Sequence, residues 1–218
     1  NNHSAYSYYP THAFGRLAPK KFTIVPKMVI PYLEQQLKKA SKHEDSHQML
    51  VHIRALGALA HPAILKVIEP YLEGKQHATE FQRLAIVVSL GKLASHYPKL
   101  ARSIYFKIYQ NAAERYEVRV AAIFGIMRTN PDAPMLQRMA EMANSEPSSH
   151  ISSAVRSALE SAAELDHPDY RELSENAEAA RQLLDDNSED SEGVQYSRTN
   201  IQDWIMNEMN LAYKMQAS

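Results

Sequence analysis

The sequence predicts an all-α chain folded as a stack of helix pairs, on three observations. Apolar residues recur with helical spacing along most of its 218 residues. Three of these runs carry a central glycine and a proline just beyond: RALGALAHP (Arg54–Pro62), VSLGKLASHYP (Val88–Pro98) and AAIFGIMRTNP (Ala121–Pro131). The glycines Gly57, Gly91 and Gly125 stand 34 residues apart, twice over. A fixed period of that size marks a helical repeat array. Glycine costs about 1 kcal/mol against alanine inside a helix, so its return at one register points to close approach of neighbouring helices. The expected architecture is a two-layer right-handed α-superhelix of HEAT-like helix pairs over residues 26–184, with a short strand-like tail.

Residues 1–25 hold aromatics and turn formers (Tyr6, Tyr8, Tyr9, Pro10, Phe14, Gly15, Pro19, Phe22) without a clear period. They read as an extended lead-in docking by its aromatics, or as a partly ordered terminus. Pro26–Ala40 reads as a helix with Met28, Val29, Tyr32, Leu33 and Leu37 on its apolar side. Ser41-Lys42-His43-Glu44 fits a capping box that opens the next helix, through Met49, Leu50, Ile53, Leu56, Gly57 and Leu59 to about Ala60. Pro62 starts the partner helix, with Pro70 kinking it or lying in its final turn and Gly74 ending it.

A second pair is expected at Glu80–Ser95 and Pro98–Ala113, the latter with Leu100, Ile104, Tyr105 and Ile108 apolar. The third pair is Glu117–Thr129 with the methionine-rich Asp132–Asn144. A fourth is Pro147–Leu165 with Pro168–Leu184, whose acidic second helix resembles the polar face of a capping repeat. Residues 185–193 (DDNSEDSEG) read as an acidic disordered linker, and 194–218 as the start of a following β-sheet region. Starting without methionine and stopping abruptly, the chain reads as a piece of something larger.

Formal net charge is −1, so no global field points to nucleic acid, and none is expected as a partner. The distribution is uneven, however. Residues 1–43 carry seven Lys or Arg against Glu34, and residues 160–192 carry twelve Asp or Glu against Arg171 and Arg181. That polarity serves a partner, another part of the same protein, or solvated faces. With no cysteine, disulfides and thiolate metal sites are excluded within the chain. No apolar run reaches membrane-spanning length.

The sharpest chemical motif is His43-Glu44-Asp45-Ser46-His47, a literal H-E-x-x-H. On a helix its histidines would share a face, bind zinc, and leave Glu44 as general base. Its place in a first turn beside Lys38, Lys39 and Lys42, without an obvious third ligand, makes it a decoy; no metal, catalytic residue or cofactor is expected. Nucleophile-elbow and phosphate-loop motifs do not occur. His61, His96 and His167 read as turn-capping residues, and Met127, Met135, Met139 and Met142 as core packing rather than a pliable lipid or partner surface. Lys38, Lys39 and Lys42, near Tyr32, are candidates for contact with a membrane or partner. Asn2-His3-Ser4 fits the N-glycosylation pattern at Asn2.

Several runs together resemble the helical region of the large lipid transfer proteins, vitellogenins in particular, of an insect type. They are RALGALAHPAILKVIEPYLEG, RLAIVVSLGKLA, and the stretch EVRVAAIFGIMRTNPDAP continuing to Glu164. Ala55–Pro62, Arg119–Pro131 and Glu146–Ser161 fit the family's repeat patterns, and 194–218 is similar to its passage into lipid-lining sheets. The likeness covers about residues 50–218. The chain departs from the pattern in lacking cysteines and in carrying Ala58 and Ala60 where Asn and Gly are common. The resemblance implies a secreted, non-enzymatic yolk-precursor glycoprotein of haemolymph or plasma that carries lipid and is taken up through an oocyte receptor. This segment would be the helical wall around the lipid-binding sheets and would form subunit contacts, including those of a homodimer. The rival readings are a HEAT-like scaffold holding a partner on its concave face, zinc-dependent hydrolysis at His43 and His47, and membrane binding through the basic helices.

Overall fold

The computed structural model describes residues 24–185, and these are all-α. They divide into two compact units, residues 24–101 and 102–185, with the boundary inside one helix. In both, helices pack mainly on near neighbours in the chain, as in a solenoid of helix pairs.

The first unit begins with a π-helical turn, Val25–Val29, which runs into α1 (Ile30–Lys42). Val29, Ile30, Leu33, Leu37 and Ala40 are buried, and α1 packs on α2 (Ser46–Leu59). Met28 and Tyr32, expected on the apolar side, are instead 65% and 47% exposed. The buried stripe runs through Val29, Leu33 and Leu37, and Met28 and Tyr32 lie about 100° around the helix from it. The expected apolar positions of α2 are all buried.

After α2 comes a 3-10 turn, Pro62–Ile64, and α3 (Leu65–Leu72). Pro70 falls in its last turn, and Gly74 follows its end with φ of 75°. The helix expected over Glu80–Ser95 is two: α4 (Glu80–Ser89) and α5 (Gly91–His96). At the break, Ser89 Oγ donates to the Ile86 carbonyl at 2.7 Å, and the Leu90 amide is shared between Ile86 and Val87. A capping box that the sequence reading passed over starts α4. Thr79 Oγ1 accepts from the Gln82 amide at 3.2 Å, and Gln82 Oε1 accepts from the Thr79 amide at 2.9 Å.

α2 also packs on α4. There a Cβ on Gly57 would lie 2.7 Å from the Ser89 carbonyl oxygen and 2.8 Å from its Cβ. The glycine is required by backbone proximity. Lys92 Nζ donates to the Ala58 carbonyl at 2.7 Å, placing a cation at the C-terminal end of α2.

α6 (Pro98–Gln110) spans the boundary between the units. It stops short of Ala113, and Leu100, expected to be buried, is exposed. The second unit continues with α7 (Tyr116–Met127), α8 (Ala133–Asn144), α9 (Ser149–Ala163) and α10 (Arg171–Arg181). α9 packs on α7, α8 and α10, and α8 on α10. In α9 the predicted Ile151, Ala154, Val155, Ala158, Leu159 and Ala162 are all buried. In α10 only Leu173, Ala177 and Ala180 are, as a capping repeat requires. A Cβ on Gly125 would lie 2.7 Å from the buried Tyr105 ring, so this glycine too marks a close approach. Gly91 differs: it opens α5 and is partly exposed. The lead-in up to residue 23, the linker from 186 and the strand-like tail lie outside the described residues.

Candidate functional site

The H-E-x-x-H stretch does not lie on one helix. His43 is the C-cap of α1, and Glu44 adopts the left-handed conformation with φ of 54°. The Asp45 amide donates to the Ala40 carbonyl at 2.9 Å and the Glu44 amide to that of Ser41 at 3.1 Å. These are the two bonds of a Schellman motif. Asp45, not Ser41, caps α2: its Oδ1 accepts from the Gln48 amide at 3.0 Å. The capping box expected at Ser41 and Glu44 is therefore corrected. Ser41 is already in the last turn of α1, so its amide-capping role is pre-empted. The turn between α1 and α2 therefore lies between His43 and His47, so the two histidines do not stand one turn apart on a single helix. Among the described residues no group of three His, Cys, Asp or Glu could hold a metal ion.

Lys38, Lys39 and Lys42 are exposed on α1. Lys38 Nζ lies 2.7 Å from Glu34 Oε1, one helical turn away, an exposed pair of small energetic weight. Lys39 and Lys42 sit in the last turn, where cations meet the negative end of the helix dipole. Asn2 lies outside the described residues.

Two histidines do cap turns. His61 Nδ1 accepts from the Ala63 amide at 3.0 Å and His167 Nδ1 from the Asp169 amide at 3.2 Å, each just before a proline that starts a 3-10 turn. Acceptance requires the neutral ring, and burial lowers the pKa of His61 accordingly. His96 ends α5 and is not such a cap. Of the methionines, Met127 and Met139 are core residues, while Met135 and Met142 are half-buried.

The strongest polar constellation went unnoticed in the sequence. Arg119 lies in α7, among Val118, Val120 and Ala121, and is 5% exposed. Its Nη2 meets Glu146 Oε2 at 2.8 Å, its Nη1 meets Oε1 at 3.3 Å, and its Nε donates to the Tyr109 carbonyl at 2.8 Å. Glu146 Oε1 also accepts from the Ser148 amide at 3.1 Å. Desolvation pushes the Glu146 carboxyl up, but the Arg119 hydrogen bonds, the Ser148 amide and the Arg119 charge outweigh it and leave the pKa lowered. A second arginine, Arg102, donates to Thr129 Oγ1 at 2.9 Å and to the carbonyls of Thr129 at 2.6 Å and Asn130 at 3.1 Å. Arg102 thus satisfies the carbonyls left over where α7 ends. Burial raises Tyr105 and Tyr109 to about 12, keeping both phenols neutral. These groups hold helices together; none is arranged as a nucleophile beside a base. The signal that could have found the pair is a lone arginine in the most apolar helix.

Arg119 and Glu146 open two of the runs that resemble vitellogenin repeats, and the comparisons with known proteins agree. The family model described as the Vitellogenin TPR domain matches residues 1–160. The chain belongs to the vitellogenin family. It is 47% identical to Vitellogenin-A1 of Aedes aegypti over 218 residues, covering 99% of this chain and 10% of that protein. It is 44% identical to Vitellogenin-1 of Solenopsis invicta over 177 residues, 81% of this chain and 11% of that one. Identity to the vitellogenin of Ichthyomyzon unicuspis is 24% over 178 residues, 79% of this chain and 10% of that one. The likeness is therefore greater to insect vitellogenins. The chain spans about a tenth of the length of these relatives. No solved structure matches.

Proposed function

We propose that this chain is part of the helical wall of a secreted, non-enzymatic lipid-transport and yolk-storage lipoprotein. The wall wraps lipid-binding sheets supplied by adjoining domains and contributes to subunit contacts, including those of a homodimer. The observation that carries the reading is the near end-to-end match of this helical array to insect vitellogenins. On this reading the buried Arg119–Glu146 pair fixes the register of α7 against the turn before α9, which a curved wall around a soft lipid load needs. The lipids and an oocyte lipoprotein receptor are partners of the whole protein, a glycan at Asn2 fits secretion, and Lys38, Lys39 and Lys42 offer a basic strip to an anionic partner. No nucleic acid is a partner. Among the described residues no helix is long and apolar enough to cross a membrane.

The test is to purify the native protein that carries this chain and measure its mass and phospholipid content. A particle many times larger than 218 residues with bound phospholipid is the expected result. A lipid-free protein no larger than this chain would overturn the proposal.

A further inference from the structure

His61 and His167 close equivalent turns, one in each unit, and their surroundings differ. Each accepts a backbone amide on Nδ1, from Ala63 at 3.0 Å and from Asp169 at 3.2 Å, so each turn needs that nitrogen free of a proton. A proton on His167 Nδ1 meets Asp169 Oδ2 at 3.6 Å, and that ring stands in water, its side chain 64% exposed. His61 is half-buried, and among the described residues no carboxylate pairs with it. The first unit holds a further ring that a proton would disturb. His52, midway along α2, is 3% exposed, and its Nδ1 is buried without a hydrogen-bond partner. α2 packs on α1, α4 and α5, so a charge on His52 falls where the unit is held together.

We propose that the first unit carries an acid-sensitive switch, in which protonation of His52 and His61 frees the C-terminal half of α2 and the turn after it while the second unit keeps its fold. At His61 the proton reverses a role. Nδ1 becomes a donor facing the Ala63 amide, another donor, and the 3-10 turn Pro62–Ile64 loses its cap. At His52 the proton creates a buried imidazolium that only Asp45, at the start of α2, attracts. Glu34 of α1, Glu69 of α3, and Glu80 and Arg83 of α4 act on neither ring. Lys92 of α5, 2.7 Å from the Ala58 carbonyl, already fills the negative end of α2. Burial lowers the pKa of both rings in the fold, whereas the opened chain takes up protons below about pH 6.5, so the first unit weakens as pH falls through that value. The Arg119–Glu146 pair of the second unit lasts through this window, because the Glu146 pKa is lowered from a carboxylate value that already lies beneath it. At pH 5.5 each ring that must be neutral in the fold weakens protection by up to about tenfold relative to pH 7.5.

Hydrogen exchange of the 218-residue chain tests this, read by mass spectrometry at pH 7.5 and pH 5.5 and corrected for the chemical effect of pH on exchange. The expected result on acidification is a loss of protection of about tenfold or more over residues 52–64, with less than about a twofold loss over residues 155–170. His61→Asn keeps an acceptor that does not titrate, and His52→Leu fills the buried site without a charge. The double variant should therefore be equally protected at both pH values. Where His52→Leu disturbs the fold at pH 7.5, as circular dichroism will show, His61→Asn alone decides, and residues 61–64 should then keep their protection at pH 5.5. Equal protection of residues 52–64 at both pH values in the unchanged chain would overturn the proposal. So would an acid loss that survives in these variants, or one that is the same in both units. The outcome does not depend on whether the whole protein carries lipid.

Discussion

Replacing Arg119 by Met keeps most of the side-chain volume and removes the guanidinium. Three things then happen at once. The Tyr109 carbonyl loses its 2.8 Å donor, both Glu146 oxygens lose their guanidinium donors, Oε1 keeping only the Ser148 amide, and the carboxylate stays in a pocket where its side chain is 10% exposed. With so little solvent to screen it, an orphaned buried charge costs about 3–5 kcal/mol. Glu146→Gln is milder: it leaves Arg119 its carbonyl acceptor and offers a neutral oxygen, so about 1.5–3 kcal/mol is expected from the lost charge-assisted bonds. The double variant should cost less than the sum, since it has no stranded carboxylate.

Urea titrations followed by far-ultraviolet circular dichroism measure all four corners of this cycle, with m unchanged where only stability moves. The pH dependence supplies a second reading. The Glu146 pKa is lowered in the fold, so its contribution is present above the ordinary carboxylate value and is lost as pH falls through the folded value. Arg119→Met should remove that acid limb. A cost below about 1 kcal/mol for Arg119→Met, or additivity of the two changes within about 0.5 kcal/mol, would refute the reasoning.

Ala60 holds φ of 49° at the end of α2, where a left-handed residue other than glycine costs about 1–2 kcal/mol. Ala60→Gly should stabilise the chain by about 0.5–1 kcal/mol, after the entropy that glycine adds to the unfolded state, and thermal melts will show the direction. Gly57→Ala should destabilise by about 1–3 kcal/mol, because its new methyl meets the Ser89 backbone rather than a side chain that can turn away; denaturant midpoints check it. Buried His52 has its pKa lowered by desolvation, partly offset by Asp45. Its contribution is full above the unfolded value near 6.5 and falls as pH drops towards the folded value, so His52→Leu should flatten the stability profile below about pH 6.5.

Periodicity made the helix pairs legible, and most strongly in α9, where every expected apolar residue is buried. Sequence reading erred where two local rules compete. Ser41 and Glu44 satisfy a capping box on paper, but α1 runs on to Lys42 and Asp45 is the next residue free to cap. The repeat glycines look equivalent at 34-residue spacing, yet Gly57 and Gly125 are held by close neighbours while Gly91 marks a helix break. Family membership was legible because the runs that carry it are long and ordered along the chain. The ion pair was not, because Arg119 and Glu146 are 27 residues apart and no periodicity joins them.

By itself the sequence determined the all-α class and the sites of most helices, since each rests on local patterns of burial, capping and breaking that neighbouring residues express together, while the vitellogenin family was legible through the resemblance of its longer runs. Only the tertiary structure decided that the H-E-x-x-H histidines are parted by a Schellman turn, that Met28 and Tyr32 face outward, and that one arginine in an apolar helix is neutralised from the turn before α9. Those outcomes depend on which chain segments meet in space. The free energy of burying a charge or exposing a methionine is set there, not by the residue's neighbours in sequence.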